Sequence, residues 1–311
     1  MTSQTHSTTW LIIGAGAIGL LWACKLTKAG QKVILINRQC NGCQNVQHIH
    51  EGITSNYEIE YSTIELLNNS CSQNQLTQVL ICTKAFDQPS AYNEIKHRLS
   101  PNAFIISLCN GVGSQATLQN LLIHQHALIV GTTSEGALKH SSTKVEQTGK
   151  GEHFFGFFDE NQAKNTVLPN EILLFKDENI MARILSKAII NAVINPITSI
   201  NNITNGNLLS APYKEQAIAA IDELIGLLQN PDFIRNNPSI NAVNTEREHV
   251  NSLVFSVAKN TSKNRSSMLE DVSNRRKTEI EFISGFFITE AKKIQFPMPI
   301  QSAFLHKINN V

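Results

Sequence analysis

The glycine-rich segment at residues 14–19 constrains the fold of this chain more than any other feature. It follows a short apolar run at residues 10–13 and overlaps the start of residues 18–29, which have helical spacing and are followed by Gly30. In a strand–turn–helix unit, such glycines permit a tight turn, a close approach to a pyrophosphate and close packing of the helix. The pattern predicts a dinucleotide-binding β–α–β unit. The residues expected at the diphosphate are Gly14, Ala15, Gly16, Ala17, Ile18 and Gly19.

Further apolar runs predict a doubly wound parallel sheet around this unit. These runs lie at residues 33–36, 79–82, 103–108 and 127–130. The polar stretch 57–78 predicts a loop or a variable insert, and the glycines near residue 150 predict an extended hairpin over residues 147–158.

Beyond residue 168 the pattern becomes helical. Residues 178–200, 212–229 and 267–293 have the 3.6-residue spacing of long helices. The predicted fold class is therefore α/β, with a Rossmann-type domain at 1–168 followed by an all-α domain at 169–311 that contributes substrate and catalytic residues.

Composition narrows the class of protein. The 311 residues carry a formal net charge of +1 and are 41% hydrophobic, which argues against nucleic acid or an anionic membrane as a partner. The apolar segment near the N-terminus is too short to span a bilayer and no Lys or Arg precedes it, so we expect a cytoplasmic protein.

The six cysteines all lie within the first 109 residues, and we expect reduced thiols. Cys40 and Cys43 form a CxxC pair, with His48 and His50 soon after, which is compatible with zinc. Because the ligand pairs of structural zinc sites are usually further apart, we favour a loop after the second strand and expect no metal.

The end of the second predicted strand bears on the choice of cofactor. An enzyme that uses NAD usually has an acidic residue there, whereas this chain has Asn37 and Arg38, which suit the 2′-phosphate of NADP(H). The alternative is a solvated loop arginine. Lys84, after the run at 79–82, is a second candidate for the cofactor phosphates or ribose.

Lys187, Asn191 and Asn195 form a polar stripe on an otherwise apolar helix, since they are spaced by four residues. The stripe either faces a polar site or is the helix's only solvent face. Within a helix over 267–293, Glu279 falls on an apolar seam, where a carboxylate needs a partner such as Lys187. Ser267 begins a capping box; it caps this helix, or the helix N-terminus holds a substrate carboxylate.

Together these segments resemble the ketopantoate reductase family over roughly residues 10–300. The similarity rests on the glycine turn and on six further motifs, read here in the numbering of this chain. They are Cys82-Thr-Lys84-Ala, Leu108-Cys-Asn110-Gly-Val-Gly113, Gly131-Thr-Thr-Ser-Glu-Gly-Ala137, Lys187-x3-Asn191-x3-Asn195-Pro196, Asn205-Gly206, and Ser267-Met-Leu-x-Asp271 continuing to Arg276-x-Thr278-Glu279-Ile280.

The resemblance implies reduction of 2-dehydropantoate to pantoate by NADPH, toward pantothenate and coenzyme A. It implies that Lys187 is the general acid and that Glu279 orients it and approaches the nicotinamide ribose. The implied substrate contacts are Asn110, Asn191, Asn195, Asn205, Asn264 and Ser267. The implied cofactor contacts outside the glycine turn are Lys84, Asn110, Ala137 and Glu279, in addition to Arg38, which the end of the second predicted strand indicates.

Two alternatives stay open at this point. One is a related reductase of another branched 2-keto acid or of a β-hydroxy acid, and the other is a non-catalytic NADP(H) sensor. Retention of both Lys187 and Glu279 argues against a sensor, which needs no buried acid–carboxylate pair. We expect a small-molecule 2-keto acid as substrate, and a monomer or a homodimer.

Overall fold

The computed structural model describes residues 9–38, 41–69, 76–123, 125–163, 166–173 and 175–310. The chain divides into two compact units. The first, here called the sheet unit, comprises Met1–Cys109 and Ser114–Ile180, and the second, the helical unit, comprises Asn110–Gly113 and Met181–Val311. The division at residue 180 lies beyond the position near 168 that the sequence suggested.

Ten strands of the described chain form one sheet in the sheet unit, in the order β10-β7-β6-β5-β1-β2-β4-β3-β9-β8. The strands are β1 (Thr9–Ile13), β2 (Lys32–Ile36), β3 (Gly42–His50), β4 (Ile53–Ser62), β5 (Leu76–Ile81), β6 (Leu99–Leu108), β7 (Ala127–Thr133), β8 (Gly136–Ser141), β9 (Lys144–Gly149) and β10 (His153–Phe157). The six strands from β7 to β4 in this order are mutually parallel.

The parallel centre explains the sequence pattern. Helices pack on both faces of such a sheet, so its strands are apolar on both sides. Residues Leu11, Ile12 and Val79 are fully buried. The predicted strands at 10–13, 33–36, 79–82, 103–108 and 127–130 are confirmed to within one or a few residues, and so is the Rossmann-type fold class.

The helices of the sheet unit connect these strands. They are α1 (Ala17–Lys28), α2 (Ile64–Asn69), α3 (Gln88–Ile95), α4 (Ser114–Leu121), α5 (Glu160–Ala163) and α6 (Asn170–Leu173). The helix predicted after the glycine turn is confirmed as α1, and Gly30 follows its end with a φ of +81°.

Three local predictions for the sheet unit are wrong. Most of the supposed loop at 57–78 is regular structure, because β4 continues to Ser62, α2 follows it, and β5 begins at Leu76. Residues 147–158 form no hairpin, since β9 pairs with β8 and β3 whereas β10 pairs with β7. Cys43 lies in strand β3 instead of a loop, while Cys40 lies outside the described residues.

The helical unit contains the remaining helices. They are α7 (Ile180–Asn201), α8 (Tyr213–Leu228), α9 (Pro231–Asn236), α10 (Arg247–Asn260), α11 (Ser267–Ser273), α12 (Ile280–Lys293) and α13 (Pro299–Asn309). The predicted helices at 178–200 and 212–229 are confirmed as α7 and α8. By length and composition α7 could span a membrane, but 67% of its most apolar window is buried within the protein, as in a core helix.

The predicted single helix over 267–293 is wrong. Helix α11 ends at Ser273, and α12 begins only at Ile280. Between them Arg275 adopts a φ of +51°, and the backbone N–H of Arg276 donates to the carbonyl of Asp271 at 2.8 Å. Glu279 is consequently the residue that precedes α12, and its burial does not come from a seam along one continuous helix.

Candidate functional site

The glycine turn between β1 and α1 has the geometry that the motif predicted. A Cβ on Gly14 would lie 2.8 Å from the backbone of Cys82 and Thr83, and Gly14 has a φ of +108°. A Cβ on Gly19 would lie 1.9 Å from the carbonyl oxygen of Gly14, because α1 passes so close to the turn. Beside Gly16, in contrast, nothing lies within 4 Å of the same position, so the backbone there faces open space.

The start of α1 is suited to an anion. Gly16 is the residue before the helix and has no side chain to cap it, and the first turn contains no acidic residue. The first N–H groups of a helix have no partner within the helix, and the helix dipole adds positive potential at this end. The turn therefore offers donors and space to a diphosphate.

The ends of the neighbouring parallel strands lie at the same edge of the sheet as this turn, since β2 and β5 flank β1. Beyond β2, Asn37 is buried and its N–H donates to the carbonyl of Ser62 at 2.8 Å, whereas Arg38 is exposed. Beyond β5, the Thr83 hydroxyl is buried with no hydrogen-bond partner in the described part of the chain, and Lys84 follows it. The glycine turn, Arg38 and Lys84 thus follow the carboxyl ends of three adjacent parallel strands.

Sequence reasoning missed the buried ion cluster that precedes β8, which we call the Glu135 cluster. The two carboxylate oxygens of Glu135 lie 2.5 and 2.6 Å from Lys25 Nζ on α1. His153 Nε2 lies 2.9 Å from the same ammonium, and Gln147 Nε2 donates to Glu135 at 2.6 Å. The cluster joins α1 to the strand that carries Ala137, and Ala137 packs with Ala15 against one hydrophobic core.

In the helical unit the predicted polar stripe lies on α7. Lys187 and Asn191 are half-buried, and Asn195 is only 5% exposed. None of the fully described residues of α7 after Arg183 is exposed, and Asn195 is buried, which favours a polar site over a fully exposed solvent face for this stripe.

The stripe continues to the start of α11. One turn beyond Asn195, the Thr198 hydroxyl lies 2.8 Å from Ser266 Oγ. Ser266 Oγ also accepts from the N–H of Leu269 and caps α11, so the cap predicted at Ser267 is wrong by one residue. Ser267 is the exposed first residue of the helix, and its hydroxyl is not used as the cap.

Asn205 and Gly206 pack against the segment before α11. The N–H of Asn205 donates to the carbonyl of Asn264 at 3.0 Å, and its side-chain Nδ2 donates to the Thr261 hydroxyl at 2.9 Å. The buried Oδ1 of Asn205 has no hydrogen-bond partner among the described residues. A Cβ on Gly206 would lie 2.8 Å from the Ser262 side chain, which explains the glycine.

Asn110 and Glu279 meet at the start of α12. Asn110 Nδ2 donates to Glu279 Oε2 at 3.3 Å, and Glu279 is 5% exposed. The N–H of Val112 donates to the Phe282 carbonyl at 2.7 Å, and a Cβ on Gly111 would lie 2.4 Å from the same oxygen. The segment after β6 is thereby fixed to the residues that begin α12, and two predicted cofactor residues are in contact.

The turn at the edge of a doubly wound sheet and the polar stripe of the following helices define the class of Rossmann-type α/β proteins with a helical C-terminal unit. Two family models match this chain, Ketopantoate reductase PanE/ApbA over residues 10–160 and Ketopantoate reductase PanE/ApbA C terminal over residues 179–311. The chain belongs to the ketopantoate reductase family, whose members are oxidoreductases.

Individual relatives agree with this assignment. The 2-dehydropantoate 2-reductase of Vibrio cholerae is 28% identical over 306 residues, which cover 97% of each chain, and that of Pyrococcus abyssi is 26% identical over 93% of each chain. A PanE/ApbA family ketopantoate reductase from Ralstonia eutropha has the same fold, with a TM-score of 0.79, 19% identity and 97% coverage of both chains. A D-mandelate dehydrogenase solved with NADH and anilino(oxo)acetate superposes with a TM-score of 0.81 at 18% identity, over 97% of this chain and 98% of the other.

Proposed function

We propose that this protein catalyses the NADPH-dependent reduction of 2-dehydropantoate to (R)-pantoate, with Lys187 as the general acid. The observation that carries the proposal is the stripe of Lys187, Asn191 and Asn195 on α7, which is half-buried to buried on an otherwise apolar helix. An ammonium and two amides on a mostly buried helix face need polar partners, and a bound polar ligand would provide them. The family assignment supports a 2-keto acid as that ligand.

The sheet unit fits a dinucleotide. Open space beside Gly16, the uncapped start of α1 and the buried hydroxyl of Thr83 together provide room and donors for phosphate and ribose oxygens. The turn at residues 14–19 would hold the diphosphate, and Arg38 would bind the 2′-phosphate that distinguishes NADPH from NADH. Lys84 and Ala137 would complete the contacts of this unit.

When bound, the reduced nicotinamide supplies the hydride that reaches the keto carbon. Lys187 donates its proton to the keto oxygen, on which negative charge develops, and its charge stabilises that oxygen before the proton moves. Glu279 orients the ammonium and, with Asn110, binds on the nicotinamide ribose side of the cofactor. Their contact at 3.3 Å supports this shared assignment.

The substrate carboxylate requires donors, and the helical unit offers them. Ser266 caps α11, so the exposed hydroxyl of Ser267 is not needed as the cap and would donate to the substrate carboxylate. Asn191, Asn195, Asn205 and Asn264 would supply amide donors and acceptors to the substrate's oxygens. Such donors and acceptors would suit a short, polar 2-keto acid with a hydroxyl group.

The test is an assay of NADPH oxidation with a panel of 2-keto acids that includes 2-dehydropantoate, pyruvate and a 2-keto acid with an apolar branched side chain. We expect the largest kcat/KM with 2-dehydropantoate. A larger kcat/KM with the apolar branched acid would assign the protein to another branched substrate. Tight NADPH binding without turnover of any of these acids would indicate a cofactor sensor and not an enzyme.

A further inference from the structure

Lys139 on the edge strand β8 reaches the glycine turn. Its ammonium donates to the carbonyl oxygen of Ala15 at 2.7 Å, although the two residues are 124 positions apart in the chain. Ala15 lies between Gly14 and Gly16, so the charge of Lys139 stands beside the turn proposed for the diphosphate. Neither the glycine motif nor the resemblance to the family singled out this lysine.

The position of Lys139 is built into the fold. Strand β8 pairs with β9 at the edge of the sheet from Gly136 to Ser141, with register shifts after Gly136 and after Lys139, and both strands contact α1. The Glu135 cluster ties the residue before β8 to Lys25 on α1. Ala137 and Ala15 pack against the same hydrophobic core, two residues before Lys139 and one before Gly16. These contacts direct the strand, and the lysine on it, toward the turn.

The electrostatics favour an anion between these groups. The start of α1 is the positive end of the helix dipole, and its first turn holds no acidic side chain. An anion next to the first N–H groups of α1 would be attracted both by the helix dipole and by the Lys139 ammonium. Gly16 faces open space of the kind that such a group requires.

We propose that Lys139 is a further cofactor-binding residue, whose ammonium contacts the diphosphate of the dinucleotide held at the glycine turn. The proposal rests on the dinucleotide-dependent function proposed above. Two cations would then bind the cofactor. Arg38 would bind the 2′-phosphate, and Lys139 would bind the phosphate at the 5′ position of the adenosine.

The test compares dissociation constants for two fragments of the cofactor, measured by calorimetry without any turnover. Adenosine 2′,5′-bisphosphate carries the 5′-phosphate, and adenosine 2′-monophosphate does not. Lys139→Gln should weaken binding of NADP+ and of the bisphosphate by about 10- to 100-fold, the range for a lost hydrogen bond with a charged group. Its affinity for the 2′-monophosphate should stay within about twofold of the native value, because that ligand makes no contact with Lys139.

A matched control variant and a salt titration test whether the loss of affinity comes from the charge of Lys139. Lys144→Gln removes a lysine from the adjacent strand β9 and should leave all three affinities unchanged. The difference in affinity between the native protein and Lys139→Gln should also decrease as the salt concentration rises, because salt screens a charge contact at the protein surface.

Two outcomes would overturn the proposal separately from the proposed function. If the native protein binds NADP+ and Lys139→Gln binds it equally well, Lys139 only ties β8 to the turn. If the variant loses affinity for the 2′-monophosphate as much as for the bisphosphate, the lysine does not act on the diphosphate. Failure of the native protein to bind NADPH or NADH would instead remove the proposed function itself.

Discussion

Asn110 and Glu279 are 169 residues apart in the chain, and the amide of the first donates to the carboxylate of the second at 3.3 Å. The contact is supported by the backbone, because the residue two after Asn110 donates its N–H to the carbonyl of Phe282 in the first turn of α12. The short segment 110–113 belongs to the helical unit although it follows a strand of the sheet. One pair of side chains therefore joins the motif after β6 to the motif before α12.

This pair predicts non-additive losses. Glu279→Ala should lower kcat with 2-dehydropantoate and raise the dissociation constant of NADPH, and Asn110→Ala should raise that constant as well. If the two residues act through their contact, the double variant should lose less affinity than the product of the single losses. NADPH fluorescence titrations on the four proteins measure this coupling.

The control for that cycle is Glu281→Ala, which removes an exposed carboxylate from the first turn of the same helix. It should leave both kcat and the NADPH dissociation constant unchanged. Strictly multiplicative losses in the double variant would contradict a shared role for Asn110 and Glu279.

Gly16 offers a sharp test of the glycine turn. Gly16→Ala should lower the free energy of unfolding by no more than about 1 kcal/mol, because Gly is preferred to Ala before a helix but nothing lies within 4 Å of the added carbon. The same carbon would occupy the space proposed for the diphosphate, so affinity for NADPH should fall at least about tenfold.

Calorimetry and thermal unfolding on this variant decide the point. Gly149→Ala on β9 is the matched control, since its nearest neighbour would lie at an ordinary 3.7 Å, and it should change neither quantity. Native NADPH affinity in Gly16→Ala would show that the open space beside the turn is not used by the cofactor.

Arg38 is predicted to select the cofactor. The native protein should bind NADPH more tightly than NADH, and Arg38→Asp should weaken NADPH binding by about 10- to 100-fold, as expected for loss of a charged hydrogen bond. Lys32→Asp, at the exposed start of strand β2, is the control for a general change of surface charge. Equal dissociation constants of the native protein for NADPH and NADH would refute this role.

The Glu135 cluster predicts a dependence of stability on pH. Burial alone would raise the pKa of the Glu135 carboxyl, but the hydrogen bonds and charges of His153 and Lys25 outweigh it and hold the pKa below the ordinary 4.5. A carboxyl whose pKa is lowered by folding contributes stability above its unfolded pKa and loses it as pH falls through the folded pKa.

Glu135→Gln should therefore lower the free energy of unfolding by about 1–3 kcal/mol at neutral pH, and the difference should shrink below about pH 4. Glu178→Gln, in the exposed pair with Lys176, should cost less than about 1 kcal/mol at either pH. Chemical denaturation across pH measures both variants. A difference for Glu135→Gln that stays constant down to acid pH would contradict the ionised cluster.

Local patterns in the sequence predicted the centre of the sheet and the two long helices. Residues such as Leu11 and Val79 are buried on a parallel sheet, and that burial requires an unbroken apolar run. The glycine turn was equally predictable, because Gly14 and Gly19 each face a backbone that leaves no room for a side chain.

The edge of the sheet and its contacts were not predictable in the same way. Strand β8 is mostly exposed and polar, and it is held by β9 and by Lys25, 110 residues before Glu135. The gap before α12 did leave a local signal, since residues 273–278 are all polar, but the spacing of the flanking apolar residues favoured one continuous helix. The pairing of β8 with β9 and the backbone contact between Arg276 and Asp271 determine the structure of these two segments.

We propose that Lys187 is the acid of an NADPH-dependent 2-keto acid reductase. The most direct test of this proposal is steady-state turnover of 2-dehydropantoate by the native protein and by Lys187→Ala, with NADPH affinity measured on both and Lys292→Ala as a control at an exposed lysine of the helical unit. We predict that Lys187→Ala lowers kcat by roughly 10²- to 10⁴-fold, the range for general acid catalysis, while the NADPH dissociation constant changes less than about twofold. Retention of more than about a tenth of native turnover in Lys187→Ala would contradict the assignment.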